Sequence, residues 1–264
     1  MKDMIRKAAQ MIAERGAGVA LTGAGISAES GISTYRDSGG LWDRYGEGAS
    51  GGILEVLMSR PKEAPMILGE FFSKLLKARP NQGHLALKDL ERLGYLKAVI
   101  TQNIDNLHHK AGSSVVYELH GNIFRLRCLQ CGLREPQDDD AFESLGKRLT
   151  EAAGVSFDAI ISSLPQCRCT GRMRPDFVGF GEPVQDLDNA MRESSACGWM
   201  LIVGTSGIVH PAASLPMVAK RNGAVLIEVN PKESDLSSIA DVTLRGTAGE
   251  VLPRLVGSVA ELCS

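Results

Sequence analysis

Short apolar segments recur along the chain, and stretches with helical periodicity separate most of them. Six of these segments have the length and composition of strands buried on both faces, which is typical of parallel sheets. Strands that alternate with helices form a parallel sheet covered by helices on both faces. The pattern therefore predicts an α/β fold. The six predicted strands lie at Val19–Leu21, Ala98–Ile100, Val115–Tyr117, Met200–Val203, Ala224–Val229 and Asp241–Leu244.

Segments with helical periodicity lie between most of these strands in the sequence. Apolar residues recur at helical spacing in residues 4–12, 85–93, 186–196, 211–221 and 248–262. Residues 53–78 predict two short helices, because Pro61 and Pro65 would interrupt a longer one. Residues 29–52 are polar and rich in glycine, which predicts a loop.

The first predicted strand runs directly into a G-x-G-x-x-A sequence that spans residues 23–28. Gly23 allows a sharp turn, Gly25 allows a pyrophosphate to approach the backbone, and Ala28 lets the next helix pack closely on the sheet. A tight turn that binds no ligand would explain the same residues. The acidic ribose ligand expected about 20 positions later falls in a loop-like segment. The motif therefore indicates a nucleotide site unlike that of a standard dehydrogenase.

The composition is that of an ordinary globular protein, with 44% hydrophobic and 23% charged residues. A net charge of −2 argues against binding driven by nucleic-acid phosphates. No apolar run approaches the roughly 20 residues of a membrane span, and the first residues do not have the layout of a signal peptide. The sequence therefore predicts a cytoplasmic protein with no membrane partner and no direct nucleic-acid partner.

Residues 125–174 interrupt the alternation of strands and helices and carry two close pairs of cysteines. Cys128 and Cys131 have the spacing of a zinc knuckle, whereas Cys167 and Cys169, beyond a loop-forming insert, are one residue closer than usual. A site of four thiolates has no open coordination position, so the zinc would be structural. The alternative is a set of reduced cysteines that lie near one another by accident.

Two polar clusters follow predicted strands, at the edge where parallel sheets bind ligands. Gln102, Asn103 and Asp105 offer amides and a carboxylate that suit a ribose and a carboxamide, although turn formation and helix capping would also explain them. His120 lies beside a glycine at the end of the third strand and is a candidate general base. A single histidine is more often structural, and that interpretation is given to His84, His108, His109 and His210.

These segments together resemble the sirtuins, which are NAD-dependent protein lysine deacylases. Residues 23–32 resemble the first signature of that family, residues 101–108 its second, and residues 118–121 its catalytic-histidine motif. The cysteine pairs and residues 180–182, 204–206, 211–212 and 229–230 follow in the family's order. The resemblance extends from about residue 17 to residue 255.

The resemblance implies a Rossmann-like, doubly wound parallel sheet with a smaller helical and zinc-binding domain. The larger domain would comprise residues 1–38, 80–125 and 175–264, and the smaller one residues 39–79 and 126–174. NAD and an acyl-lysine substrate would enter the cleft between the domains from opposite sides. The acyl oxygen would attack the nicotinamide ribose, and His120 would help to deprotonate a ribose hydroxyl that attacks the resulting imidate. NAD would be consumed, giving nicotinamide, acyl-ADP-ribose and free lysine.

By this resemblance His120 and Asn103 are the catalytic residues, Tyr35 covers the reacting carbon and Arg36 lies near the phosphates. The residues implied to bind NAD are Gly23, Ala24, Gly25, Ser27, Glu29, Thr34, Tyr35, Arg36, Trp42, Gln102, Asn103, Ile104, Asp105, Gly204, Thr205, Ser206, Asn230, Pro231, Lys232 and Ala248. The residues implied to bind the substrate peptide are Val178, Gly179, Phe180, Gly181, Ile208 and Val209. The implied zinc ligands are Cys128, Cys131, Cys167 and Cys169.

The chain departs from the family's usual pattern at two positions of this set. Tyr35 stands where the family usually has phenylalanine, and Gly179 stands where it usually has tryptophan. Residues 68–71 also lack the tyrosine and arginine of members that remove succinyl or malonyl groups. A buried acyl carboxylate would therefore be unpaired. With Phe71 and Phe72 nearby, we expect neutral acyl groups, acetyl first and longer apolar chains as well.

Other functions of the same residues are an NAD glycohydrolase, a protein ADP-ribosyltransferase and a non-catalytic NAD-sensing module. A hydride-transferring dehydrogenase fits least well. His120 and the substrate-strand residues favour deacylation over each of them.

Overall fold

The computed structural model describes residues 1–32, 58–179 and 181–262. Parts of the predicted loop at 29–52 and of the predicted helices at 53–78 lie outside these ranges. Within them, the chain forms a larger parallel sheet and a smaller antiparallel sheet.

The larger sheet confirms the predicted α/β fold. All six predicted strands are present. They span Gly18–Thr22 (β1), Leu96–Thr101 (β2), Val116–Glu118 (β3), Trp199–Val203 (β7), Val225–Val229 (β8) and Val242–Leu244 (β9). These strands run parallel in the order β3-β2-β1-β7-β8-β9. The order reverses direction between β1 and β7, which is the point where ligands bind in doubly wound folds.

Helices cover both faces of this sheet, because its strands bury side chains on both sides. One buried cluster includes Ile12, Leu201 and Leu255, and the cluster on the other face includes Leu21, Ile202 and Leu215. The helices span Lys2–Arg15, Gln82–Arg92, Leu107–Lys110, Leu187–Ala196, Leu215–Arg221 and Ala248–Leu262. Short 3-10 segments span Ala24–Ser30, Ala212–Ser214 and Ser237–Ile239.

The smaller sheet has the order β5-β4-β6, with Gly121–Cys128 (β4), Arg134–Pro136 (β5) and Met173–Phe177 (β6). The helices Ala64–Lys77, Asp139–Ala153 and Phe157–Ser163 accompany it. Phe72, Phe124 and Phe142 lie at the centre of its core, with Phe124 stacked on Phe142 at a ring-centroid distance of 4.0 Å.

Three local predictions were wrong. The segment between the cysteine pairs is not only a loop, because Phe142, Leu145 and Leu149 line the buried face of a helix. Pro65 does not interrupt a helix: it lies in the first turn of Ala64–Lys77, where its missing N–H costs nothing. The predicted loop begins later than residue 29, since the 3-10 segment continues to Ser30.

The two sheets each have their own apolar core, which supports a division into two domains. β4 begins at Gly121, within the segment assigned to the larger domain. The residue limits of the domains therefore stay a prediction. None of the helices in the described ranges is long and apolar enough to span a membrane.

Candidate active site

The turns after β1 and β7 pack backbone against backbone at the centre of the larger sheet. The amide of Gly23 donates to the carbonyl of Val203 at 3.0 Å, and the amide of Gly25 donates to that of Gly204 at 2.8 Å. A Cβ on Gly25 would lie 2.6 Å from the Gly204 Cα, and Gly204 itself has a φ of 58°. Only glycine fits this contact. The structure therefore explains glycine at position 25 by the close packing of these two turns.

Ser27, Asn103 and Asp105 form one hydrogen-bonded group beside this turn. Ser27 Oγ donates to Asp105 Oδ2 at 2.6 Å. Asn103 Nδ2 donates to Ser27 Oγ and to the Gly23 carbonyl, each at 3.1 Å. Residues from the first two signature motifs therefore hold each other in place, although about 80 positions separate them in the chain.

Asp105 is almost entirely buried. Burial raises the pKa of its carboxyl group, and hydrogen bonds from Ser27 and the Leu107 amide oppose that rise. The adjacent Ile104 packs against the core of the smaller sheet and accepts a hydrogen bond from the Ile123 amide. The loop after β2 therefore contacts both sheets.

His120 joins the same loop through its imidazole ring. Its Nδ1 lies 2.9 Å from the Gln102 carbonyl oxygen, which can only accept, so Nδ1 carries the proton in the neutral ring. Nε2 is then unprotonated. Burial lowers the pKa of His120, and the Gln102 carbonyl acts against this. A ring that is neutral near pH 7 with one basic nitrogen is suited to accept a proton from a hydroxyl group.

Gln102 links His120 to the turn after β7. While its carbonyl holds the imidazole, its side-chain Nε2 donates to Thr205 Oγ1 at 2.9 Å. The predicted residues Gln102, Asn103, Asp105, His120 and Thr205 thus lie around one edge of the sheet.

Two threonines at strand ends support the Asn103 loop, and sequence reasoning missed both. Thr22 Oγ1 lies 2.9 Å from Thr101 Oγ1, which accepts a hydrogen bond from the Asn103 amide. Thr22 also lies 3.0 Å from Nε2 of the buried His108. The sequence did contain a signal for this role, because each threonine is a polar residue at the last position of an apolar strand.

Asn81 is a second residue that sequence reasoning missed. Its Oδ1 accepts from the amides of Gly83 and His84, and its Nδ2 donates to Ile26 O at 2.7 Å and to Ser30 Oγ at 2.9 Å. It caps one helix and fixes the 3-10 segment of the glycine motif. The asparagine after a proline was a visible capping signal.

The segment predicted to pair with a substrate peptide lies next to His120. The Val178 amide donates to the His120 carbonyl at 2.8 Å. Gly179 and Glu182 close a turn through two hydrogen bonds, at 3.0 and 3.1 Å. Gly181 has a φ of 84°, and Phe180 lies outside the described residues. The other predicted substrate residues, Ile208 and Val209, are exposed.

The residues predicted at the adenosine end lie in the loop after β8 and at the start of the last helix, which follows β9. Asn230 Nδ2 donates to the Thr205 carbonyl at 2.9 Å, so this loop contacts the turn that carries Thr205 and Ser206. Pro231 follows Asn230 in that loop, and the Lys232 carbonyl accepts from Arg245 at 2.9 Å. Ala248 is buried, and its side chain packs against Gly83 of the helix Gln82–Arg92.

Glu29 ties the glycine motif to the last helix. Its carboxylate accepts from Thr247 Oγ1 at 3.1 Å and from the Gly249 amide at 2.7 Å. A carboxylate at a helix N-terminus is stabilised by the unpaired amides there. Glu29 therefore helps to position the motif. Ala24, the first residue of the 3-10 segment, is half-buried. The predicted residues Thr34, Tyr35, Arg36 and Trp42 lie outside the described residues.

The four cysteines predicted as zinc ligands converge in the smaller sheet. Their sulfur atoms all lie within 4.8 Å of one another, and the Cys128–Cys169 and Cys131–Cys167 pairs are 3.5 and 3.7 Å apart. Amides of Cys131 and Gln130 point at the Cys128 sulfur and lower its pKa to about 6. Four converging thiols with thiolate-stabilising amides fit a tetrahedral zinc ion. The shorter Cys167–Cys169 spacing does not prevent convergence, because Thr170 adopts a positive φ of 68° that closes the turn.

Comparison with known proteins agrees with this arrangement. The Sir2 family model matches residues 23–211. Proteins named NAD-dependent protein deacylase from Desulfosudis oleivorans and Pyrococcus abyssi are each 42% identical, covering 100% and 98% of this chain and 98% and 99% of their own lengths.

Solved structures show the same similarity. A Sir2 homologue–NAD complex has a TM-score of 0.79 and 40% identity, covering 98% of this chain and 94% of its own. Sir2Af2 bound to a myristoylated histone peptide has a TM-score of 0.72 and 35% identity, covering 100% and 99%. With the signature residues assembled at one sheet edge and a family match over most of its length, the chain belongs to the Sir2 family, the sirtuins.

Proposed function

We propose that this protein is an NAD-dependent protein lysine deacylase that consumes NAD and releases nicotinamide, acyl-ADP-ribose and free lysine. The observation that carries the proposal is the placement of His120. Its Nδ1 is held by the Gln102 carbonyl, so its basic Nε2 is free to act beside the Asn103–Asp105 loop. The relatives named as deacylases, and the Sir2 structures with NAD and with an acylated peptide, support the same activity.

Each group at the site has a role in this reaction. Asn103 and Gln102 would orient the nicotinamide ribose, and Asp105 with the Ile104 backbone would hold the carboxamide. His120 would take the proton from a ribose hydroxyl, which then attacks the carbon derived from the acyl group. The chemistry develops positive charge on the ribose, so the protein must orient the reactants and exclude water more than supply strong acids.

The substrate would bind as an extended strand beside residues 178–181 and 208–209. The Val178 amide already donates to the His120 carbonyl, so a peptide that pairs with this segment would lie directly beside the base. Backbone pairing accepts many sequences, which suits an enzyme that acts on acyl-lysine in different proteins.

We expect neutral acyl groups, acetyl first. In the described structure Phe72 does not contribute to an acyl pocket, because it packs on Phe142 at a ring-centroid distance of 5.0 Å. Phe71 is half-buried at the edge of the same core. The preference for neutral chains therefore depends on the absence of an arginine in residues 68–71 and on Gly179.

Zinc would hold the smaller sheet together through Cys128, Cys131, Cys167 and Cys169. Since four thiolates complete its coordination, it supports the fold and takes no part in the chemistry. We also propose the division into a larger and a smaller domain at the predicted limits, and a cytoplasmic location, which reduced metal-binding thiols support.

The His120→Ala variant tests the deacylase proposal. We expect turnover of acetyl-lysine peptide to fall by about two to four orders of magnitude, since general-base catalysis contributes that much. Nicotinamide release and peptide mass would be measured together, with Lys147→Ala, which changes an exposed residue of the helix Asp139–Ala153, as the control. Unchanged turnover in His120→Ala would refute the proposal.

Analysis of the reaction products distinguishes deacylation from the alternative functions. Acyl-ADP-ribose with deacylated peptide indicates deacylation. Free ADP-ribose with intact acyl-peptide would indicate NAD hydrolysis, and a protein that gains ADP-ribose would indicate transfer. NAD binding with no product of any kind would indicate a sensing module.

A further inference from the structure

A carboxylate on the larger sheet is neither exposed nor used by the reaction described above. Glu228 lies in β8, between Ile202 of β7 and Thr243 of β9, and is 0% exposed. A buried carboxylate among apolar strands costs free energy unless it is paired and hydrogen-bonded. A buried ion pair adds little net stability relative to apolar residues of the same volume, although removing one of its partners is costly. Its presence here therefore suggests a role other than holding the sheet together.

The partners of Glu228 come from two separate loops. Ser234 Oγ and Ser237 Oγ, in the loop after β8, both donate to its carboxylate, the latter at 2.7 Å. Arg245, directly after β9, donates from Nη1 at 3.0 Å. The same Arg245 atom donates to the Lys232 carbonyl at 2.9 Å. One carboxylate thus fixes the loop after β8 both directly and through the guanidinium group.

The loop held by Glu228 is in turn connected to the predicted phosphate-binding turn. Asn230 Nδ2 donates to the Thr205 carbonyl, and the Asp235 amide donates to the Ser206 carbonyl at 3.1 Å. Apart from the one-turn 3-10 segment Ser237–Ile239, this loop has no regular structure. Its shape therefore depends on these side-chain contacts.

The position of this loop fits the second nucleoside of a dinucleotide. The nicotinamide-side residues follow β2, and the loop follows β8 at the same edge of the sheet. β2 and β8 are three strand spacings apart, about 14 Å at about 4.8 Å per spacing. This separation suits the two nucleosides of an extended NAD molecule.

We propose that Glu228 is a positioning residue for the adenosine half of NAD, acting through Arg245 and the loop that follows β8. In standard dinucleotide-binding folds an acidic residue contacts the ribose directly. Here the carboxylate of β8 is buried and shapes the loop that presents Asn230 and Lys232. This inference rests on the proposed use of NAD.

The variant Glu228→Gln keeps the shape of the side chain and removes its charge. We expect the Kd for ADP-ribose, measured by calorimetry, and the KM for NAD to rise about tenfold, the loss of one charge-assisted contact. The kcat at saturating NAD and the KM for the acyl-lysine peptide should change by less than about twofold. Arg245→Lys, which keeps the charge but not the forked geometry, should give an intermediate Kd.

Glu193→Gln is the matched control. Glu193 is also a buried carboxylate, 7% exposed, and it pairs with Lys97 at 2.8 Å on a different part of the molecule. It should leave the Kd for ADP-ribose unchanged. If Glu228→Gln folds poorly, Ser237→Ala removes one contact to the same carboxylate and should raise the Kd by a smaller factor.

The outcomes separate this inference from the proposed function. If the wild-type protein binds no ADP-ribose, the proposed function itself fails. If the wild type binds it and Glu228→Gln binds it equally well, the positioning role is refuted. Equal increases in the KM for NAD and for peptide would show only a general structural role and would also refute it.

Discussion

The two sheets of this protein are stabilised in different ways. The larger sheet is covered on both faces by apolar clusters, and every residue of β1, β7 and β8 is buried. The smaller sheet has a compact aromatic core, but it also relies on four converging thiols and a group of ion pairs. The larger sheet therefore depends mainly on apolar burial, and we expect the short strands of the smaller sheet to depend also on a metal bound by the thiols and on paired charges.

The ion pairs of the smaller sheet lie where it meets the larger one. Asp176 on β6 is 0% exposed and accepts from Arg125 Nε at 2.8 Å and from Arg134 Nε at 3.1 Å. Arg125 also donates to Glu118, the last residue of β3, at 2.9 Å. His120 lies between Glu118 and the first residue of β4. The charged group therefore connects the two sheets at the position of the proposed base.

Removal of the metal should cause the largest loss of activity and structure, and the loss of structure should be confined to the smaller sheet. A strong chelator, or the Cys128→Ser variant, should abolish deacylation, because a small metal-bound module depends on its ion for folding. The larger sheet should persist. Far-ultraviolet circular dichroism should therefore show partial loss of signal, and hydrogen exchange should show loss of protection only in residues 64–77 and 121–177.

The Cys197→Ser variant is the control, since Cys197 packs against the larger sheet. It should retain zinc and activity. If both sheets lost hydrogen-exchange protection together after chelation, the stability of the larger sheet would depend on the smaller one. The proposed difference between the two sheets would then be wrong.

Replacement of Arg125 should have the next largest effect. Arg125→Met leaves Glu118 and Asp176 buried with fewer partners, which should lower the free energy of unfolding by about 3–5 kcal/mol. Denaturation with urea measures this change. The exposed pair Arg92–Asp89 provides the control, because Arg92→Met should cost less than about 1 kcal/mol. Equal losses in the two variants would contradict a structural role for the buried pair.

The same contrast explains how much of the fold could be predicted from the sequence. Six strands and most of the helices on the larger sheet were predicted correctly, because burial on both faces leaves uninterrupted apolar runs such as Met200–Val203. The short helix Leu107–Lys110 was not predicted. β5 has the exposed sequence Arg134-Glu135-Pro136, and β4 mixes Arg125 and Arg127 with apolar residues. Local sequence does not identify such strands, since long-range pairing and metal binding stabilise them.

The site could be predicted mainly through signature motifs. The motifs identified Asn103, Asp105 and His120, but they did not show that Ser27 donates to Asp105 or that Gln102 holds His120. Contacts of this kind join residues far apart in the chain, so they become visible only when strands β1, β2 and β7 are aligned. Thr22, Asn81 and Glu228 were missed for the same reason.

Acid should destabilise the larger sheet through two histidines packed beneath the glycine motif. His84 and His108 are buried, with ring centroids 4.9 Å apart. Burial lowers the pKa of His84 from 6.5 to about 4, and it also lowers that of His108. Both are neutral in the folded protein at pH 7, and the unfolded chain binds more protons below pH 6.5. Their contribution to stability is therefore complete above pH 6.5 and is lost as the pH falls from 6.5 towards 4.

This is the smallest of the expected effects, about 1 kcal/mol from His84 between pH 7.5 and pH 5.5. It is measured by urea denaturation at both pH values for the wild type and for His84→Gln, which cannot titrate. The wild type should lose more stability than the variant over this interval, because the carboxylates of both proteins titrate alike and cancel in the difference. Acid also competes with zinc for the thiolates of the smaller sheet, but this effect is the same in both proteins and cancels as well. Equal losses in the two proteins would show that His84 is already accessible to protons in the folded state, and the larger sheet would then be less tightly packed around the glycine motif than its contacts indicate.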